Sequence, residues 1–329
     1  MNNLSQTIEH FPTVKILVVG DLLLDQFVFG DISRVSREAP VLILNYRETV
    51  SMPGGCANTV ANVESLGAEV IPVGFLGDDE FSDQLLSLWP QRIETDYIFQ
   101  EPGFLTTRKT RILAGSHYSF QQQVVRIDYE HHYHLNEQHE HKIIQALMEL
   151  IPQVDAVILS DYSLGNLTES VRKTALKYVD QHKKILIADS RDNPHLYQGA
   201  TSITPNVSEI AQIESISTKQ DLNRLEEVAS QLREKWRLEA LLVTLGKLGM
   251  SLFVKDGVTH IPVFGTDEVA DVTGAGDTVT AVYATALATG SSFEEAARLA
   301  NYAAGTVVMK KGTTTISPIE LRQAIRSNL

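Results

Sequence analysis

The sequence predicts an α/β protein: a doubly wound, mostly parallel sheet with a small β-sheet lid. Three observations lead there. From Asp155 onward, short β-rich runs alternate with helical segments, the rhythm of βαβ units whose strands are buried on both faces. Those runs end repeatedly on polar residues, Asp161, Asp189, Asn206 and Thr244, which lines up polar groups along the sheet edge where open α/β folds bind ligands. Finally, β-like stretches at 40–48, 106–113 and 120–127 interrupt the rhythm, which suits an excursion covering that edge. At 329 residues the expectation is one domain with a lid built from about 33–52 and 104–128.

In chain order, Lys15-Ile16-Leu17-Val18-Val19-Gly20 reads as a buried parallel strand. Asp21 and Asp25 follow at its carboxyl end, and ionised carboxylates there suit the hydroxyls of a sugar, with a turn cap as the plainer role. A dinucleotide fold would place GxGxxG here, but the residues are Gly20-Asp21-Leu22-Leu23-Leu24-Asp25, so a dehydrogenase loses its main support. Pro53-Gly54-Gly55-Cys56-Ala57-Asn58 opens a helix that runs through Leu66 to Gly67. Paired glycines permit close backbone approach, and Asn58 can both donate and accept. Cys56 reads as a small packing residue.

The lid strands carry Lys109, Arg111 and Arg126, a candidate anion site in an acidic chain, or else a solvated strand face. The turn between them is placed at 114–117. His131, His132, His134, His139 and His141 match no zinc spacing and read as a polar loop entering a helix at Asn136. Beyond 155, strands are expected at 156–161, 184–189 and 240–244, helices at 168–182, 222–236 and 293–310, and a hairpin turn at Lys255-Asp256-Gly257.

The charge is −13, which argues against nucleic acid or an anionic membrane surface as partner, since both require a basic face. The single cysteine excludes an internal disulfide and fits a cytoplasmic location. There is no run of eighteen apolar residues and no apolar leader in the polar N-terminal segment.

Chemistry concentrates at Asp271-Val272-Thr273-Gly274-Ala275-Gly276-Asp277. Apolar positions at Val279, Val282, Tyr283, Ala286 and Leu287 recur at helical spacing, so a helix begins near Gly274 or Ala275. Its unpaired N–H groups, together with the positive end of the helix dipole, make an anion cradle. A carboxylate at Asp277 is unfavourable beside a phosphate unless it works, and the obvious task is taking a proton from an attacking hydroxyl. The alternative is a glycine-rich turn with a capping Asp. No GxxxxGK[ST] exists in the chain, so any phosphoryl transfer proceeds without a P-loop.

The two glycine motifs, Pro53-Gly54-Gly55-Cys56-Ala57-Asn58 and Asp271-Val272-Thr273-Gly274-Ala275-Gly276-Asp277, resemble the signatures of the ribokinase-like (PfkB) carbohydrate kinases in order and separation. Thr204-Pro205-Asn206-Val207-Ser208-Glu209 and Thr244-Leu245-Gly246 lie between them, and the likeness covers about 14–318. Within that family the stretches 20–25, 35–41, 121–128 and Ser160-Asp161-Tyr162 are most similar to heptose 7-phosphate kinases of ADP-heptose synthesis.

The resemblance implies ATP with Mg²⁺ and Asp277 as catalytic base, with the Gly274, Ala275 and Gly276 amides steadying the transferring group. It places a sugar on Asp21 or Asp25, Gly54, Gly55, Asn58 and Asp161, with Lys109, Arg111 and Arg126 for an existing phosphate. It assigns Asp189, Arg191, Asn206, Thr244, Gly246, Gly249 and Asn301 to the nucleotide, Asn206 and Glu209 to the metal through water, and the lid to a homodimer. Two departures stand out. Ala188-Asp189-Ser190-Arg191 replaces a usual Asp-Pro-Lys, and the sequence ends at Leu329 without the nucleotidyltransferase domain fused to many relatives. A kinase of an unphosphorylated sugar and a non-catalytic sensor on the same fold are the alternatives.

Overall fold

The computed structural model describes residues 2–115, 121–214, 222–265 and 270–327. After helix α1 (Asn2–His10), strand β1 (Lys15–Gly20) enters the centre of the molecule. The chain then makes its first excursion, β2 (Leu22–Val35) and β3 (Leu42–Gly55), before α2 (Cys56–Ser65) returns it to β4 (Glu69–Gly77). Helix α3 (Glu80–Ser87) leads to the edge strand β5 (Ile98–Glu101). A second excursion, β6 (Arg108–Gly115) and β7 (Gln122–Tyr129), precedes α4 (Glu137–Leu150) and β8 (Ala156–Asp161). The alternation then becomes regular: α5 (Glu169–His182), β9 (Ile185–Ser190), β10 (Ser202–Ile203), α6 (Val207–Glu214), α7 (Leu222–Lys235) and β11 (Ala240–Thr244). The hairpin β12 (Met250–Val254) and β13 (Gly257–Ile261) follows, then α8 (Ala275–Ala288), α9 (Phe293–Val307) and α10 (Pro318–Ser327).

Among the described residues, nine strands form one sheet in the order β13-β12-β11-β10-β9-β8-β1-β4-β5. All pairs are parallel except β11–β12 and β12–β13. The expected α/β architecture is therefore present. Its central strands are buried on both faces because helices cover each side, while the edge strand β13 stays largely exposed. Residues of α2, α8, α9 and α10 build one core, and residues of α4, α5 and α7 the other. The chain leaves β1 toward β4 on one side and toward β8 on the other, so β1 marks the switch point where a crevice opens above the strand ends. Helix α8 passes through the first core buried on all sides, its threonines satisfied internally. Thr285 donates to Ala281 O at 2.7 Å, and Thr280 meets Thr204 at 2.8 Å. Among the described residues no helix is long and apolar enough to cross a membrane.

The second sheet, β3-β2-β6-β7, stands over that crevice. Its longest contributor is missed by the sequence reading. Residues 22–35 carry charge and glycine among their apolar residues and were not read as a strand; they extend because β3 pairs along almost their whole length. Asp25 consequently lies inside a lid strand and not in a loop at the end of β1. Likewise the expected strand at 40–48 runs on to Gly55, so the paired glycines close β3 as well as preceding α2. Residues 116, 117 and 120 of the expected turn and strand lie outside the described residues. Helix α9 ends at Val307, short of the expected 310, and Gly312 with φ +77° turns the chain back toward α8.

Side chains alternate across the lid, and cross-strand register assigns its two faces. Asp25, Lys109 and Asp128 are aligned on one face, as are Phe27, Arg111 and Arg126. Val28, Ile112 and Val125, with Ile127 and Tyr129, lie on the other. The first face looks into the crevice, where Met52 of β3 packs against Gly312. The second mixes apolar residues with Gln26, Arg108 and Thr110, and its most open part is β7, with Val125 and Tyr129 each 46% exposed.

Candidate active site

Three segments converge where β1 ends. Asp271 shapes the first. Its Oδ1 accepts from the Thr273 amide (2.9 Å) and hydroxyl (2.7 Å), and its Oδ2 accepts from the Gly312 amide (3.1 Å). The turn so fixed puts Gly274 at φ +78° as the cap of α8, without a side chain to cover the helix end. The Ala275 amide bends back to Val272 O at 3.3 Å, and the first helical bond is Thr278 N to Gly274 O. Among the described residues nothing accepts from the amides of Gly274, Gly276 and Asp277. A Cβ on Gly276 would meet open space, whereas one on Gly274 would strike Asn58. Of the two glycines, Gly276 exposes the cradle and Gly274 makes the turn.

Asp277 lies behind those amides, 2% exposed. Its Oδ2 accepts from Asn58 Nδ2 at 2.9 Å and its Oδ1 from the Tyr162 hydroxyl at 2.7 Å. The Asn58 amide is oriented in turn by Asn62, whose Nδ2 donates to Asn58 Oδ1 at 3.2 Å. Burial pushes the Asp277 carboxyl up to about 8, with Asp189 and Asp25 adding to the rise and the bonds from Asn58 and Tyr162 opposing it. The fold thus makes this residue a far stronger base than an ordinary aspartate, with an affinity for protons near working pH.

The other acids divide by task. Asp21 accepts from the backbone of Tyr162 (2.9 Å), Leu164 (3.0 Å) and Asn166 (3.0 Å), and from Asn166 Nδ2 (3.0 Å). Asp161 accepts from Ser163 N (2.9 Å), Ser190 (3.1 Å) and Tyr197 (2.6 Å). Two of the expected sugar ligands are thus engaged by the protein itself, Asp21 in holding the 162–166 loop and Asp161 in joining that loop to Ser190 and Tyr197. Asp25 pairs with Arg111, and its carboxylate lies where a Cβ on Gly54 would stand. The glycine at 54 therefore makes room for Asp25, and the one at 55, at φ +54°, turns the chain into α2. Lys109 meets Glu130 at 2.5 Å and Asp128 at 3.6 Å, and Arg126 forks onto Asp128 at 2.8 and 2.9 Å. The candidate anion site of the lid is charge-balanced, because each of its cations has a carboxylate partner.

On the other side of the α8 terminus is a cavity of about 570 Å³. Thr244, Gly246, Gly249 and Asn301, all assigned to a nucleotide from the sequence, line it together with Ala275 and Gly276. Met250, Phe264, Val279 and Val308 give it apolar walls, the mixture typical of a small-molecule site. Asn301 is fixed by donating to Pro262 O at 2.9 Å. Asn206 and Glu209 form a reciprocal cap on α6: the Glu209 carboxylate accepts from Asn206 N (2.8 Å) and Nδ2 (2.6 Å), while Asn206 Oδ1 accepts from Ser208 N and Glu209 N.

Desolvation lifts Glu209 to about 8, with Asp189 adding to the rise and Arg191 drawing it down. Asp189 itself is lifted to about 6 by burial. Asp189, Glu209 and Asp277 thus surround the crevice with carboxylates that lack an ion-pair partner among the described residues, a field that fits a bound cation. Among these residues no three acidic, histidine or cysteine groups converge closely enough to hold a metal directly. The donor set therefore suits a cation carried with a phosphorylated ligand and reached through water. Cys56 is fully buried, and burial raises its thiol further. Tyr162, which touches Asp277, stands out in the sequence only through the family resemblance of Ser160-Asp161-Tyr162. Its role was hidden because 115 residues separate the two.

The model described as pfkB family carbohydrate kinase matches residues 15–320. The bifunctional protein HldE of Desulfatibacillum aliphaticivorans is 38% identical over 318 residues, covering 96% of this chain and 64% of that protein. That of Proteus mirabilis (strain HI4320) is 39% identical over 322 residues, covering 97% and 65%. The chain therefore spans a little under two thirds of the length of these relatives. Among solved structures, Arabidopsis thaliana ribokinase complexed with ribose and ATP superposes with a TM-score of 0.73 at 19% identity, over 95% of this chain and 99% of that one. Escherichia coli phosphofructokinase-2 in complex with potassium gives 0.74 at 16%, over 95% and 98%. At those identities the structures speak for the fold.

Proposed function

The chain belongs to the pfkB family of carbohydrate kinases, and we propose that within it the protein transfers the γ-phosphoryl of ATP to a hydroxyl of heptose 7-phosphate, giving heptose 1,7-bisphosphate. Membership makes it a phosphotransferase with an alcohol acceptor. The observation that carries the reading is the open α8 terminus with Asp277 behind it. The acceptor hydroxyl gives its proton to the Asp277 carboxylate. The amides of Gly276 and Asp277 donate toward charge on the migrating group, and losing stabilisation of that kind costs on the order of 10²–10³ in turnover.

The cavity beside Gly276 receives the nucleotide, with Thr244, Gly246, Gly249 and Asn301 along its wall. Mg²⁺, when bound, screens the phosphate charge; the lone pairs of Glu209 left outside its cap, with Asn206, would hold its waters. Asp189 and Arg191 flank that position through their charges. The sugar rests between Asn58, Gly54, Gly55 and the crevice face of the lid, near Asp25. Its existing phosphate takes Arg126, the most exposed of the three lid cations, in exchange for Asp128, with Arg111 and Lys109 behind.

One observation favours a second reading, a kinase of an unphosphorylated sugar: Lys109, Arg111 and Arg126 each already have a carboxylate partner. Measuring kcat/KM on heptose 7-phosphate against fructose and ribose separates the two. A preference for the phosphorylated sugar of at least a hundredfold is expected, and parity or reversal would assign the neutral sugar. The exposed apolar row of β7 supports a homodimer formed through the lid sheet.

A further inference from the structure

We propose that Tyr162 is the positioning residue of the base, its hydroxyl holding the Asp277 carboxylate at a fixed angle toward the crevice. The observations begin with the loop that carries it. Tyr162 follows directly on β8, and the segment 162–166 is held from beneath by two buried carboxylates. Asp21 takes the amides of Tyr162, Leu164 and Asn166, and Asp161 takes the amide of Ser163. Ser163 is kept at φ 60°, a left-handed conformation that a serine accepts only when its surroundings impose it. Such anchoring exceeds what a surface connection needs, and what it fixes is the phenol.

The phenol meets the base at 2.7 Å on Oδ1, while Asn58 meets Oδ2 at 2.9 Å. With one donor on each oxygen the carboxylate cannot rotate, and each oxygen keeps a lone pair for an incoming hydroxyl. The groups bearing on Asp277 are Asp189 from β9, Asp25 from β2, Cys56 from α2 and Tyr162 itself. The first two oppose ionisation, and Cys56 stays a thiol. Tyr162 and Asn58 favour the carboxylate. Burial and the neighbouring Asp277 charge push the Tyr162 phenol well above its ordinary range, so it only donates.

This inference rests on Asp277 being the base. Its test is Tyr162→Phe, which keeps the ring, assayed for kcat/KM from pH 6 to 10 with ATP and heptose 7-phosphate. The protonation of Asp277 is followed in parallel by difference infrared spectroscopy on carboxyl-labelled protein without turnover. The acid limb and the infrared midpoint are both expected to move up by about one pH unit. Activity should fall about tenfold at pH 7, recover toward wild type above pH 9, and leave ATP affinity within threefold. A loss uniform across pH, or an unmoved infrared midpoint, would overturn the inference while Asp277 remains the base. Asp277→Asn run alongside keeps the two apart, since near-normal turnover in that variant would remove the base and leave Tyr162 with nothing to position.

Discussion

The two sheets of this molecule are finished in different ways. Each face of the nine-stranded sheet is covered by the chain's own helices, and residues such as Ile16, Val18, Ile158 and Leu242 on one side, or Leu17, Val157 and Leu241 on the other, are fully buried. The lid sheet is far less covered: its Arg108 lies between Tyr129 and Phe81 of α3, while Val125, Ile127 and Tyr129 stay 40–46% exposed. It turns Asp25, Lys109, Arg111, Arg126 and Asp128 toward the crevice, and Val125, Ile127 and Tyr129 outward. Apolar burial holds the body, and of its acids at the strand ends Asp21 and Asp161 are taken up by the 162–166 loop and its neighbours. Strand pairing and the buried Asp25–Arg111 pair hold the lid together, and β7 keeps an exposed apolar row.

The sharpest way to break that comparison is at Asp277, the proposed base. Asp277→Asn should lower kcat by about 10³ or more, with ATP and sugar affinities kept and lid protection from hydrogen exchange unaltered. Near-normal turnover would mean the body's edge does no acid–base work. Next in size is Arg111→Met. It strands the buried Asp25, and breaking such a pair costs about 3–5 kcal/mol. The loss should appear as faster exchange in β2 and β6 while β1 and β8 stay protected, and Asp25→Asn in the same chain should restore most of it. Global unfolding instead would show the lid and body to be one cooperative unit.

A third, smaller effect concerns stability and pH. Unfolded Asp277 ionises near 3.8 and folded Asp277 near 8. Between those values the folded state holds the extra proton, so this group's contribution to stability falls as pH rises from about 4 and levels off above about 8. Asp277→Asn removes that loss and should stabilise the protein at pH 7 by roughly 1–3 kcal/mol, read from the urea midpoint at unchanged slope. An equal midpoint in both proteins at pH 7 would contradict the raised proton affinity. On the lid's outer face, Ile127→Lys should weaken self-association at least tenfold, about 1.4 kcal/mol or more, by light scattering. Wild-type protein that is monomeric at every concentration would leave that face without its proposed partner. Smallest is Arg126→Ala: the pair with Asp128 is 40% exposed on the Arg side, so stability should change by only about 0–1 kcal/mol. A loss above 2 kcal/mol would show that the lid depends on this pair as much as on Arg111.

Much of the body was legible because each of its elements is specified by nearby residues. The strands 156–161 and 240–244, the helix at 168–182 with its Thr168 cap, and the start of α8 at Gly274 all follow from periodicity and capping within a dozen residues. The lid was half legible. Its β6 and β7 show strand patterning, but β2 owes its length to β3, a partner that propensity does not reveal. In the site, Asn206 and Glu209 were read as metal-organising, and the structure shows that the same spacing makes a helix cap. Asp21 and Asp161 read as sugar ligands in the sequence, but the oxygens of Asp21 accept from the 162–166 loop and those of Asp161 from Ser163, Ser190 and Tyr197.

By itself, then, the sequence determined the kind of chemistry: a glycine turn at a helix start with an acid three residues past the cap, on the polar edge of an α/β sheet. These are local facts, encoded in contiguous residues. Tertiary structure alone decided how strongly that acid holds its proton, which lid cations are already paired and which side chains support it. Those properties arise from desolvation and from contacts such as Tyr162 with Asp277 and Asn58 with Asp277, separated by 115 and 219 positions in the chain. Burial and long-range pairing have no signature in a local stretch of sequence, because the energy of a charge is set by everything folded around it.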